Sequence, residues 1–228
     1  MAGRTTTTRK VMTATAGAAL AAGVYGGMLL PSSPTTTSNG ACAISSIDPA
    51  SAENLTTWTQ PAAGQCATQI KNGFPVPDPS CTPGAVNPTL TLDVLRDSAF
   101  RTGPCVRDKA TSAAKKYVTY SWYKTTKPPA NTGANQICEE DHLVSLELGG
   151  SDTLANIWPQ CGPASVALND RFFKEKDLVE NYLAAEVKAG TIDLASAQRG
   201  IATDWTQYKP QADAWYQQHG AVRSDGDD

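Results

Sequence analysis

Histidine is scarce in this sequence, because the 228 residues contain only two, His142 and His219. His219 stands beside a glycine and shortly before an acidic tail, so we expect it to be solvated and not catalytic. Any imidazole chemistry therefore falls on His142. None of the six cysteines are spaced as Cys-x-x-Cys, which argues against a zinc site built from thiolates.

Net positive charge is also missing. The chain carries −3 at neutral pH, and residues 1–40 contain three basic residues and no acid, so the remainder carries −6. Such a charge works against tight non-specific binding of nucleic acid, which depends on neutralising phosphates.

One segment departs from this balance, since residues 101–127 hold seven Lys or Arg residues and a single acid. Its aromatic residues suit a strand over 117–123. We interpret the segment either as a surface where basic residues contact phosphates and aromatic rings stack on bases, or as a solvated face of an edge strand with core aromatics. The aromatic residues are Tyr117, Tyr120, Trp122 and Tyr123.

The first 41 residues have the layout of an export signal followed by a linker. A basic start precedes an apolar run, rich in Ala and Gly, of about twenty residues. We predict that residues 1–30 are a signal peptide, with a signal anchor as the alternative, and that residues 31–41 are a flexible Ser/Thr/Pro linker. The scarcity of leucine in the run favours cleavage, which leaves a secreted protein without stable membrane association; an uncleaved segment leaves it membrane-anchored.

All six cysteines follow the linker. An even count behind an export signal predicts an oxidising compartment and three disulfides, although six cysteines allow fifteen pairings. We predict sequential pairing, with the last bridge clamping the segment that carries His142. We expect a monomer with a single domain over residues 42–220 and an acidic, disordered tail over 221–228. The predicted bridges are Cys42–Cys66, Cys81–Cys105 and Cys138–Cys161.

The most specific pattern lies between residues 138 and 159. Asp141 and His142 precede an alternation of apolar and polar residues over 144–148, which predicts a half-buried strand. A Gly-Gly pair ends that strand, and a short polar loop leads to Asn156, fourteen residues after His142.

This order of Asp-His, alternating strand, Gly-Gly, loop and Asn resembles the HNH nucleases of the His-Me finger (ββα-metal) group. The resemblance implies two short strands and a helix around one divalent metal, Mg²⁺ with Mn²⁺ or Zn²⁺ as alternatives. It places the general base on His142, a metal ligand on Asp141 and the residue that steadies the loop on Asn156. The family's last position, a His or Asn on the following helix, has no His here, and we take Asp177 as the further ligand. The alternative is that Asp177 and Glu180, which share one helix face, form salt bridges with Lys174 or Lys176.

The chain after about residue 70 is also similar to a group of uncharacterised secreted proteins. The shared pieces include Pro-Asp-Pro-Ser-Cys-Thr-Pro-Gly-Ala (77–85), Glu-Glu-Asp-His-Leu-Val-Ser-Leu-Glu-Leu-Gly-Gly (139–150) and Asn-Ile-Trp-Pro (156–159). This group carries the same Asp-His segment and is itself interpreted as HNH-like from it.

The chemistry explains why these residue types are needed. Phosphodiester hydrolysis requires a water that has lost a proton, which a neutral imidazole accepts near pH 7, and a hard cation compensates the charge on phosphorus. Consecutive strand residues point to opposite faces, so Asp141 and His142 meet at one site only if the strand begins, bends or bulges there.

The C-terminal third predicts helices. An apolar stripe indicates a long helix within 164–189 that is closed by Gly190, and Asp193 is expected to cap a second helix that ends at Trp205 or Tyr208. Pro210 fits the first turn of a last helix, through residue 218.

Together these observations predict an α+β fold, stapled by disulfides, with a ββα-metal core and additional C-terminal helices. The expected function is that of a secreted metal-dependent nuclease acting on DNA or RNA with low sequence specificity. The alternative is a non-catalytic secreted binding module, for the cell envelope or a protein partner, in which the Asp-His hairpin is only structural.

Overall fold

The computed structural model describes residues 42–53, 55, 57–108 and 116–220. The segments interpreted as signal, linker and acidic tail lie outside these residues, as do residues 109–115 of the basic segment. The elements are β1 (Gln69–Lys71), β2 (Phe74–Val76), α1 (Leu92–Arg96), α2 (Thr102–Val106), α3 (Val118–Trp122), β3 (Cys138–His142), β4 (Ile157–Cys161), α4 (Phe172–Ala189), α5 (Leu194–Asp204) and α6 (Lys209–His219).

The fold is a mixture of α and β, with two small antiparallel sheets, β1–β2 and β3–β4, as well as helices and three disulfides. This confirms the mixed class predicted from the sequence. Among the described residues, no helix has the length and apolar character needed to cross a bilayer.

The β3–β4 hairpin presents His142. Its register pairs Cys138 with Cys161 at one end and His142 with Ile157 at the other. The Cys138–Cys161 disulfide joins the first of these pairs, as predicted. The hairpin is therefore covalently closed at the end opposite His142.

The strand predicted over 144–148 is wrong, because β3 ends at His142 and Leu146–Leu148 form one turn of 3-10 helix. Val144, Ser145, Leu146 and Leu148 are all buried, so the alternation does not separate a core face from a solvent face. The side chain of Asn156 takes both backbone groups of Val144, which a strand would have offered to a neighbouring strand.

Two of the three predicted disulfides are also wrong, because the structure pairs Cys42 with Cys105 and Cys66 with Cys81. Cys105 lies on α2 and packs in the same apolar cluster as Cys42. Cys66 and Cys81 flank the β1–β2 hairpin, which brings them together. Order along the chain is therefore a poor guide to pairing, since the fold decides which cysteines become neighbours.

The segment expected to be a strand over 117–123 is instead helical at α3. Thr119, Tyr120, Trp122 and Tyr123 are buried, and this spacing marks one face of a helix. Aromatic residues favour strands because they pack well on a half-buried sheet surface. Here the same residues are buried on one face of a helix, and this packing decides the structure.

Helix α4 carries the core and lies against the β3–β4 hairpin. It begins at Phe172, later than the predicted run, and Val179, Leu183 and Val187 form its buried stripe. Gly190 ends it in the left-handed region, at φ 83°, as predicted. The stripe packs in one cluster with residues of α5 and with the loop that follows His142.

Both predictions for the last helices are confirmed. The side chain of Asp193 caps α5 by accepting a hydrogen bond from Ser196 N at 2.9 Å. Helix α5 ends at Asp204, a 3-10 turn covers Trp205–Tyr208, and Pro210 lies in the first turn of α6.

Candidate functional site

His142 forms a dyad with an acid that the sequence did not point to. Its Nε2 lies 2.8 Å from Oδ1 of Asp152, whose side chain is 1% exposed. Asp152 also accepts hydrogen bonds from Lys116 Nζ at 2.6 Å and from Asp108 N at 2.8 Å. A carboxylate only accepts, so Nε2 carries the ring proton and a neutral ring offers the lone pair of Nδ1. No described residue hydrogen-bonds Nδ1.

The environment keeps the imidazole neutral and its partner ionised. Burial lowers the pKa of His142, and the hydrogen bond to Asp152 only partly reverses this effect. Burial by itself raises the pKa of Asp152, but the hydrogen bonds and charges of His142 and Lys116 outweigh it, so the pKa lies below its usual value. A neutral imidazole beside a carboxylate is the protonation state that a general base needs.

His142 lines a pocket of about 60 Å³. About 10–15 Å³ of such space suffices for one water molecule, so the pocket has room for water. Ser145 is 2% exposed and lines the same pocket, and its Oγ has no hydrogen-bond partner among the described residues. The remaining lining residues are Arg107, Glu139, Glu140, Asp141, Leu146, Asp177 and Glu180.

Asn156 fastens the loop that follows His142. Its Oδ1 accepts from Val144 N at 2.9 Å, and its Nδ2 donates to Val144 O at 2.8 Å and to Ser151 O at 2.9 Å. The loop also requires Gly150, because a Cβ there would lie 1.9 Å from Val144 O and 2.9 Å from Asn156 Nδ2. The loop between His142 and Asn156 is thus fixed by the buried side chain of Asn156 and by its close packing at Gly150.

Asp141 is engaged by protein donors. Its Oδ2 accepts from Trp158 Nε1 at 2.8 Å, and Lys176 Nζ lies 3.1 Å from Oδ1 and 3.0 Å from Oδ2. Lys176 is fully buried, and its Nζ also donates to His142 O at 2.8 Å and to Glu180. Both Asp141 and His142 line the pocket, which is possible because β3 ends at His142.

Asp177 follows Lys176 on α4 and accepts a hydrogen bond from Lys174 Nζ at 2.9 Å. Burial raises the pKa of Asp177. Burial, together with the charges of Asp177 and Asp141, raises the pKa of Glu139 to about 8, and burial raises that of Glu180 well above its usual value. Glu139 therefore favours its protonated form near neutral pH.

The divalent metal expected at Asp141 and Asp177 finds little support in this arrangement. Residues 42–53, 55, 57–108 and 116–220 contain no group of three or more His, Cys, Asp or Glu that could hold a metal ion. Because both oxygens of Asp141 already accept hydrogen bonds, the groups around it do not fit an ion held there. A bound Mg²⁺, Mn²⁺ or Zn²⁺ stays a prediction.

The basic segment over 101–127 contributes to the site mainly through individual charges. Arg107 lines the pocket, Lys116 holds Asp152, and Lys127 lies 3.3 Å from Glu140. Tyr120, Trp122 and Tyr123 are buried, whereas Tyr117 is 44% exposed and lies under Lys127 Nζ. Of these aromatic rings, only Tyr117 is open for stacking on a base.

Sequence reasoning missed Asp152, Lys116 and Ser145. It indicated Lys176 only as an ion-pair partner, and the pairs Lys174–Asp177 and Lys176–Glu180 confirm that alternative. The order of residues gave no signal for Lys116 or Ser145, and Asp152 lies in a stretch interpreted only as a polar loop. Lys176 had a signal, because it stands three residues before Val179 and so falls within the apolar stripe of α4.

Comparison of the chain with family models, with curated proteins and with solved structures gives no match in any of the three. The geometry around His142 therefore carries the functional argument.

Proposed function

We propose that the chain is a secreted nuclease that hydrolyses phosphodiester bonds of DNA or RNA with low sequence specificity, and that His142 is its general base. The observation that carries the proposal is the His142–Asp152 dyad at a pocket large enough for water. The hairpin β3–β4 followed by α4 supports the comparison with the ββα arrangement of HNH nucleases.

In the proposed reaction, Nδ1 of His142 takes a proton from a water in the pocket, and the water oxygen attacks phosphorus. The phosphorus–oxygen bond to one sugar oxygen breaks as the new bond forms, and the leaving sugar oxygen takes up a proton from solvent water. The imidazolium that forms keeps its Nε2 hydrogen bond to Asp152, which stabilises the new positive charge. Lys116 and the backbone N–H of Asp108 hold that carboxylate ionised and oriented. Ser145 Oγ is placed to bind the water or a phosphoryl oxygen, because it has no hydrogen-bond partner in the part of the chain that the structure describes.

The acidic lining must be reconciled with an anionic substrate. Burial raises the pKa of Glu139 to about 8, so this residue carries little negative charge at neutral pH, and Lys176 pairs with Glu180. Lys176 offsets the charge of Asp141, and Arg107 supplies a cation at the pocket wall. These effects reduce the repulsion that a phosphate group meets. The expected metal ion would add to them, but the donors that already engage both oxygens of Asp141 do not fit an ion held there.

The test is cleavage of plasmid DNA and of RNA by the purified mature protein, with and without added divalent ions. General-base catalysis contributes about 10²–10⁴-fold, so we expect His142→Ala to lower the rate by at least about 100-fold. His219→Ala is the matched control, since the second histidine is exposed and stacks on Trp215. Equal cleavage by wild type and by a folded His142→Ala variant would refute the proposal.

The alternative is the non-catalytic binding module, and one observation favours it. Lys176 and Trp158 engage Asp141 completely, which is what a purely structural hairpin requires. In that case neither nucleic acid is cleaved under any ionic condition, and His142→Ala leaves partner binding unchanged.

A further inference from the structure

We propose that the ammonium group of Lys176 takes the place of the divalent cation that was expected beside Asp141. The site then works with this built-in cation and without a metal ion at the Asp141 carboxylate. The inference deepens the proposed function, and only its activity measurement rests on that function.

The first support is the set of contacts around Lys176 Nζ. The group has three N–H donors, and it meets three acceptors: the Asp141 carboxylate, the Glu180 carboxylate and the His142 carbonyl oxygen. The side chain is 0% exposed. An ammonium ion in this position is fully satisfied by protein atoms, so nothing in its surroundings requires another ligand.

The second support is the charge arrangement. Two carboxylates of the pocket, Asp141 and Glu180, face the same Nζ. A divalent ion at Asp141 would have to share a buried space with Lys176 or displace it, and a displaced lysine would leave a buried charge without partners. The cation that the fold has provided therefore competes directly with a metal ion at this carboxylate.

The third support is the link from this cation to the base. Lys176 Nζ lies 2.8 Å from the carbonyl oxygen of His142, so it holds the main chain of the residue whose imidazole faces Asp152. Trp158 Nε1 holds the same Asp141 carboxylate from β4. Lys176 is thus a positioning residue for the general base. It joins α4 to β3 directly and to β4 through the carboxylate of Asp141.

The test is binding of Mn²⁺ to the purified mature protein, measured by calorimetry and by the shift in melting temperature. We expect wild type and Asp141→Asn to give the same result, with no Mn²⁺ site that depends on Asp141. We expect Lys176→Met, which removes the ammonium and leaves Asp141 and Glu180 without a cation, to gain Mn²⁺ binding and to melt at a higher temperature when Mn²⁺ is added.

Lys188→Met is the matched control, because this lysine is exposed in the last turn of the same helix and lies outside the pocket lining, and it should gain no such site. Stoichiometric Mn²⁺ binding by wild type that Asp141→Asn abolishes would overturn the proposal. This comparison uses only wild type and Asp141→Asn, so it decides the question even if Lys176→Met does not fold.

The activity measurement separates this inference from the proposed function. If the protein cleaves nucleic acid, we expect the rate to survive a chelator in wild type and to fall in Lys176→Met more than tenfold in kcat, with little change in KM. Full loss of cleavage in chelator, restored by Mg²⁺ in wild type but not in Asp141→Asn, counts against the built-in cation. Absence of cleavage in every variant refutes the proposed function, and the Mn²⁺ comparison then decides the role of Lys176.

Discussion

The side chain of Asn156 offers the sharpest test of how the loop behind His142 is held. Asn156→Ala removes three hydrogen bonds at once, those to Val144 N, Val144 O and Ser151 O. Asn156, Val144 and Ser151 are all fully buried, so water cannot replace the lost partners without opening the loop. The expected result is a large loss of stability from a small change in side-chain volume.

The magnitude follows from the count of bonds. A buried hydrogen bond contributes about 1 kcal/mol net, and a buried polar group left without a partner costs about 1–3 kcal/mol. Three broken bonds therefore give a loss of about 3–5 kcal/mol. For a domain of this size, each kcal/mol lowers the melting temperature by about 2–4 °C, so we expect a decrease of about 6–20 °C.

The assay is urea unfolding of the oxidised protein at neutral pH, followed by tryptophan fluorescence and by circular dichroism. Asn135→Ala is the control, because Asn135 is exposed and its replacement should stay within about 0.5 kcal/mol of wild type. A loss of less than about 1 kcal/mol in Asn156→Ala, with an unchanged denaturant slope, would show that this amide does not hold the loop.

Three further predictions concern the pocket and the disulfides. The raised pKa of Glu139 means that the folded protein favours the protonated side chain, and this contribution to stability is lost as the pH rises from about 4.5 to about 8. Glutamine does not ionise, so Glu139→Gln should be more stable than wild type between pH 6 and pH 9 in thermal melts. Ser145→Ala should not destabilise the fold, because its hydroxyl is buried without a partner, yet it should slow cleavage of nucleic acid. Peptide mapping without reduction should recover the Cys66–Cys81 bridge, and replacing both cysteines by alanine should cost about 3 kcal/mol in urea unfolding.

The parts of the fold that the sequence predicted are those decided by local interactions. Asp193 as a helix cap, Gly190 as a helix end and Pro210 in a first turn depend only on backbone geometry within a few residues. The Cys138–Cys161 bridge joins the first pair of a hairpin, so it too follows from neighbours in one small element.

The parts that failed depend on contacts between distant segments. The helix at 118–122 exists because one face packs into the core. The alternation over 144–148 does not mark a strand, because Ser145 is buried with the apolar residues on either side of it. The sequence indicated His142, Asp141 and Asn156 as a group, and the structure brings them to one hairpin. It could not indicate Asp152 or Lys116, because their roles arise only when loops that are far apart in sequence meet at one carboxylate.

The hydrogen bonds of Asp152 have a practical consequence for altering this protein. The chain contacts this acid at Asp108 and again at Lys116, so the seven residues between them start and finish at the same anchor. Any redesign of the chain around the imidazole should therefore keep Asp108 and Lys116 together, because losing either one loosens the partner that orients His142.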